Sequence, residues 1–126
     1  MGWPFRLTRS ILYISDTGRS HDPDWPSHIR KFDVTSANTL TNPAIFTDIE
    51  VGLADGFRLD SAGNLWTSTG QGVDIFDPQG ALLGRIITNR KTSNLTFGGP
   101  TRQRLFITAS EMVYALDVNA RGIQHP

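Results

Sequence analysis

The sequence predicts an all-β fold of the β-propeller type, with three four-stranded blades in one chain. Three observations carry that prediction. The apolar segments are short, rich in β-branched and aromatic residues, and none sustains helical periodicity. Gly, Pro, Asp and Asn punctuate them, with 12 Gly and 7 Pro among 126 residues. One pattern also recurs three times. Leu12-Tyr13-Ile14-Ser15, Leu65-Trp66-Thr67-Ser68 and Leu105-Phe106-Ile107-Thr108 each read Leu, aromatic, β-branched, hydroxyl. A second anchor, a bulky apolar residue followed by Asp, recurs at Phe32-Asp33, Phe76-Asp77 and Leu116-Asp117. A spacing of about 40–45 residues with four strands per unit is that of propeller blades.

In order, the first unit (about 1–50) contains strands expected near 2–7, 11–15, 28–34 and 44–50. Its extra length falls in a Pro- and Asp-containing loop, 19–27. The second unit (about 51–90) has strands near 56–60, 64–69, 72–77 and 82–88. The short Gly-containing loop Asp60-Ser61-Ala62-Gly63-Asn64 separates its first two strands, and Asp77-Pro78-Gln79-Gly80 places Pro and Gly where a β-turn wants them. The third unit (about 91–126) shows strands near 94–98, 104–109 and 112–118. Gly98-Gly99-Pro100 ends the first of these, since Pro removes a ladder donor. Its outermost strand is expected from the tail around 122–124 or from another chain. The whole chain is read as a single domain.

Composition narrows the function. Zero cysteine excludes a disulfide scaffold, a thiolate metal site and a Cys nucleophile. Twelve basic and twelve acidic residues cancel, which argues against a nucleic-acid or membrane surface. No apolar run approaches the ~20 residues of a membrane-spanning helix, and Met1–Arg6 lacks the apolar stretch of a secretion signal. A cytoplasmic location is therefore expected. No phosphate-binding loop, dinucleotide fingerprint, nucleophile elbow or zinc-finger spacing is present.

Four stretches resemble the SMP-30/gluconolactonase/LRE family of six-bladed propellers. They are Leu12 to Gly18, the run Asp55-Gly56-Phe57-Arg58-Leu59-Asp60-Ser61-Ala62-Gly63-Asn64-Leu65-Trp66, Ser93 to Gly99 with its Phe97-Gly98-Gly99, and Leu116 to Gly122. The resemblance covers nearly the whole chain but only the C-terminal half of such a propeller. It implies a divalent cation at one mouth of the central channel, held by a Glu, by the Asn of an Asn-Gly pair and by the Asp of an Asp-Gly pair. The last of these also resembles the general base for lactone opening. Asp55-Gly56 matches the Asp-Gly pair. Met1-Gly2 stands where the Asn-Gly pair belongs, and the Glu has no counterpart.

Asp55 is accordingly the candidate catalytic residue and a candidate metal ligand, since hard cations such as Ca²⁺ or Mg²⁺ take oxygen donors. Read on its own, it is more readily an Asp-Gly turn residue holding its own backbone, and the resemblance is what raises it to a candidate. Asn94 occupies the equivalent place in the next unit and is a candidate for metal and substrate contact, or else a turn amide. Asp16 is a candidate substrate contact, with an ordinary Asp-Thr-Gly turn as the alternative. Between His21 and His28, two His and two Asp lie within eight residues. That loop is read mainly as an exposed cover over the mouth, with Trp25 packing it down and touching substrate, and secondarily as a Zn²⁺ site. Trp66, Phe76, Phe97, Phe106 and Tyr114 are expected in the core between blades. Arg85, Arg90, Lys91, Arg102 and Arg104 are expected on a solvated face.

Three blades leave two open edges, and propellers usually close with four to eight. Two copies would supply six blades, so the chain is read as half of a six-bladed ring closed by homodimerisation. On that reading it is a metal-dependent lactonase acting on a small lactone. The alternatives are a self-assembling propeller scaffold without catalysis, and a small β-sandwich in which the repeat is fortuitous.

Overall fold

The computed structural model describes residues 10–123. Within them, ten strands form three antiparallel sheets in sequence order. The first holds β1 (Ser10–Asp16), β2 (His28–Val34) and β3 (Leu40–Asp48). The second holds β4 (Phe57–Leu59), β5 (Leu65–Ser68), β6 (Gly72–Phe76) and β7 (Leu82–Ile87). The third holds β8 (Thr92–Gly98), β9 (Arg104–Ala109) and β10 (Met112–Asp117). Three sheets packed one after another, rather than two face to face, exclude the sandwich. The strand expected at 2–7 lies outside the described residues.

The recurring Leu-aromatic-β-branched-hydroxyl pattern falls on β1, β5 and β9, the same strand of each unit. Two cores separate the three sheets. Ile29, Phe46, Ile49, Ala54, Leu65 and Phe76 fill the first, with Tyr13 and Phe57 against them. Trp66, Val73, Leu95, Leu105, Ile107 and Ala109 fill the second, with Phe97 and Tyr114 partly buried beside them. Leu65 and Trp66 are neighbours on one strand and point to opposite faces, so the second sheet contributes to both cores.

The run from Asp60 to Trp66 is a lock. The buried Asp60 carboxylate accepts from Ala62 N and Asn64 N at 2.9 and 3.0 Å through Oδ1. Its Oδ2 accepts from Asn64 Nδ2 at 3.1 Å and Trp66 Nε1 at 2.9 Å. Gly63 turns at φ +84°, where an L side chain is strained. The most family-specific stretch of the sequence is thus a β-turn tied to the buried indole.

Three expectations are corrected. Strand β3 begins at Leu40 rather than 44, although it contains Pro43. It is an edge strand, and Asn42 and Pro43 form a bulge where the register breaks between Lys31 and Asp33. Asn42 takes φ 52° there and donates to Asp33 Oδ2 at 2.8 Å, so the missing proline donor falls at an irregularity. Phe106 does not enter a core: it is 37% exposed on the outer face of the third sheet. The tail does not pair as the outer strand of the third sheet either. Gly122 bridges Asp60, and Ile123 N donates to Leu59 O at 3.2 Å, at the foot of β4. Gln124 lies outside the described residues.

Candidate functional site

Asp55 sits just before the innermost strand of the middle sheet, and its backbone is held from two sides. Ser68 Oγ, at the end of β5, accepts from both Asp55 N and Gly56 N at 3.0 Å. Ser68 N in turn donates to Gly56 O at 2.8 Å. From the first sheet, Ser15 Oγ donates to Ala54 O. In the third sheet Thr108 Oγ1 donates to Asn94 O at 3.3 Å. The hydroxyl that closes each copy of the repeat therefore clamps the backbone leading into an inner strand. The repeat made those three residues visible as a pattern, but not their role.

Gly56 has Asn94 directly over it. A Cβ at 56 would lie 2.7 Å from Asn94 Cγ and 3.0 Å from its Cα, so only glycine fits. The Asp-Gly pair and Asn94 are adjacent, as expected, but they serve different spaces. Asp55 lines a cavity of about 320 Å³ with Thr17, Thr69, Lys91 and Thr92. Asn94 lines another, of about 260 Å³, with Arg58, Phe106 and Thr108. Asn94 Oδ1 already accepts from Leu95 N at 2.9 Å. The Asp55 side chain is exposed and makes no hydrogen bond or ion pair with the described residues.

Asp16 is engaged in its turn: Oδ1 accepts from Gly18 N at 3.1 Å. Its Oδ2 lies 3.4 Å from His28 Nε2, whose other ring nitrogen is 3.8 Å from Asp48 Oδ1. The Nε2 contact is within ion-pair range but lacks hydrogen-bond geometry, so that buried nitrogen has no hydrogen-bond partner. Trp25 does not pack the loop down; its side chain is 53% exposed. The loop is held instead by backbone bonds, Trp25 N to Asp22 O at 2.9 Å and Arg19 N to Pro26 O at 2.9 Å. Among the described residues no group of three His, Cys, Asp or Glu side chains is arranged to hold a metal, in this loop or elsewhere. Asp55 is the exposed carboxylate of its cavity, and Asn94 Oδ1 keeps one lone pair beyond the bond from Leu95 N. Met1 and Gly2 lie outside the described residues.

Lys91, expected on a solvated face, is exposed and also lines the Asp55 cavity. Its neighbour Arg90 is paired with Glu111, and its guanidinium is held above its usual pKa first by a hydrogen bond to Tyr114 and then by that carboxylate. Nothing in the local sequence distinguishes the two cations. Only the convergence of loops from all three sheets does.

The sequence profile of the SMP-30/gluconolactonase/LRE-like region matches residues 2–111. The chain belongs to this family. A gluconolactonase of Zymomonas mobilis is 35% identical over 116 residues, 88% of this chain and 32% of that protein. The pentonolactonase XacC of Haloferax volcanii is 37% identical over 62 residues, 47% of this chain and 21% of its own length. Among solved structures, the gluconolactonase XC5397 of Xanthomonas campestris superposes with a TM-score of 0.74 at 37% identity, over 85% of this chain and 33% of that one. Regucalcin of Agrobacterium tumefaciens, described as calcium-binding, superposes at 0.73 with 24% identity, over 92% of this chain and 44% of that one; that likeness concerns the fold. The chain spans about a third of the length of the family's Zymomonas relative. No helix among the described residues is long and apolar enough to cross a membrane.

Proposed function

We propose that this chain forms the catalytic sector of a lactone hydrolase acting on a small sugar-type lactone at the mouth lined by Asp55. The observation that carries the reading is the state of Asp55: its backbone is clamped by Ser68, its carboxylate has no partner among the described residues, and a cavity opens beside it. A carboxylate so placed accepts a proton from water as the water oxygen attacks the lactone carbonyl carbon. The ring C–O bond then breaks, and the ring oxygen leaves as a hydroxyl after taking a proton. The relatives named gluconolactonase and pentonolactonase support this chemistry.

Asp55 would hold a divalent cation, Ca²⁺, Mg²⁺ or Zn²⁺, through its carboxylate, and Asn94, which lies against Gly56, would be the second oxygen donor. When bound, such an ion polarises the carbonyl and acidifies water.

A second copy of the chain is the proposed partner that completes six blades. Support comes from the two end faces. The first sheet leaves Leu12, Ile14 and Ile45 uncovered, and the third leaves Phe106 and Val113 uncovered.

Hydrolysis of glucono-δ-lactone, followed by base uptake at constant pH, tests the reading. Turnover is expected to fall on chelation, to return with added cation, and to drop at least ~100-fold in Asp55→Asn. Turnover that survives Asp55→Asn would refute the assignment. A particle of twice 13.9 kDa without turnover would favour the non-catalytic scaffold.

A further inference from the structure

We infer that Lys91 is the anion-recognising residue of the Asp55 cavity, and that it holds the carboxylate of the ring-opened sugar acid. The ligand choice rests on the lactone reading; the site rests on the cavity itself. Its volume, about 320 Å³, lies at the small end of the ~300–1,000 Å³ range for ligand sites and suits one small polyhydroxy acid. Its lining is drawn from separate connections, with Thr17 after β1, Asp55 before β4, Thr69 after β5 and Lys91 before β8.

The polar groups on its wall divide into two sets. Thr69 and Thr92 are satisfied internally. Thr69 Oγ1 donates to Gly72 O at 3.3 Å and accepts from Gln71 N at 3.3 Å. Thr92 Oγ1 lies 3.3 Å from both Arg90 O and Thr88 Oγ1. The side chains of Thr17, Asp55 and Lys91 make no hydrogen bond or ion pair with the described residues. A residue with a hydroxyl, one with a carboxylate and one with an ammonium thus line a single cavity, and none of the three side chains is engaged by the described residues. An aldonate matches that set: its hydroxyls donate to Asp55 and bond Thr17, while its carboxylate accepts from the Lys91 ammonium.

The neutral lactone lacks that carboxylate. Lys91 therefore distinguishes product from substrate, and it gains its full partner only when the ring opens. Removing it should weaken product inhibition more than it changes KM for the lactone.

Calorimetric titration with sodium gluconate, in buffer freed of divalent cations, tests this. Sorbitol, which has the same carbon count and no carboxylate, is the neutral control. Gluconate binding is expected to weaken ~10-fold or more in Lys91→Gln, to stay within ~3-fold in Lys91→Arg, and to weaken with added salt. Sorbitol binding should not change among the three. Equal gluconate affinity in wild type and Lys91→Gln, or no gluconate binding by wild type up to ~100 mM, would overturn the inference. Lactone turnover by wild type, measured alongside, separates the two claims. Turnover with Lys91-independent gluconate binding removes only the Lys91 role. Lys91-dependent binding without turnover keeps the anion site and removes the hydrolase.

Discussion

The middle sheet and the two end sheets are made of the same repeat, yet they are buried differently. On β5 all four residues, Leu65 to Ser68, are buried. On β9 burial alternates: Leu105, Ile107 and Ala109 are covered, while Arg104, Phe106 and Thr108 face outward. A strand covered on both faces reads as continuously apolar or hydroxylic, and one covered on a single face alternates. The burial of a blade is therefore decided by its neighbours as much as by its own residues. The candidate site stands on the best-buried sheet, where its supports are fixed by packing on both sides.

The largest effect should come from removing a side chain that bridges this contrast. Trp66 fills the second core, stacks edge-on to Phe97 with ring centroids 5.2 Å apart, and donates to Asp60. Trp66→Ala should cost ~3–5 kcal/mol in urea unfolding. The equivalent aromatic of the end sheet, Phe106, should cost under ~1 kcal/mol in a chain whose end face stays open. If Phe106→Ala proves as costly as Trp66→Ala, that face is covered in solution, and the contrast belongs to the isolated chain alone.

A smaller effect is expected at the clamp. Ser68→Ala strips the acceptor from Asp55 N and Gly56 N on the rigid side of the comparison. The loss should be ~1–3 kcal/mol of stability, together with a fall in lactone turnover. Unchanged turnover would show that Asp55 is positioned without its serine.

The smallest effect should appear at the rim of the middle sheet. Arg85 Nε lies 3.2 Å from Asp74 Oδ1, and its Nη2 lies 2.7 Å from Glu50 Oε2. Burial pushes the Asp74 carboxyl above its ordinary value, and Arg85 opposes that rise. A carboxyl raised in the folded state favours folding most when protonated, so its contribution is lost as pH climbs through the raised value. Arg85→Met should widen that window. The variant should therefore lose more stability at pH 7 than at pH 4, and equal losses at the two pH values would discount the Asp74 contact.

Much of the architecture was legible because the repeat is periodic. Leu12, Leu65 and Leu105 fall on equivalent strands, and the ends of β2 and β9 lie where the apolar runs stop. Pro43 misled because a missing donor is harmless on an edge strand beside a bulge. Phe106 misled because alternation reports which residues share a face, not whether another sheet covers it. Asp55 became a candidate through its glycine, and the contact of Gly56 with Asn94 explains why glycine is there. Lys91 was not legible, since its place depends on loops from three sheets meeting at one cavity.

The clamping hydroxyls bear on how such a molecule grows. Each unit carries, within its own strands, a Ser or Thr whose Oγ steadies the backbone entering an inner strand. Duplicating the second or third unit therefore copies a finished mounting along with the blade, whereas Ser15 steadies the entry to the unit that follows it. A carboxylate such as Asp55 or an amide such as Asn94 can then be exchanged on that mounting by one substitution, without rebuilding what supports it. New chemistry at the candidate site becomes a matter of changing the tool and leaving the handle alone.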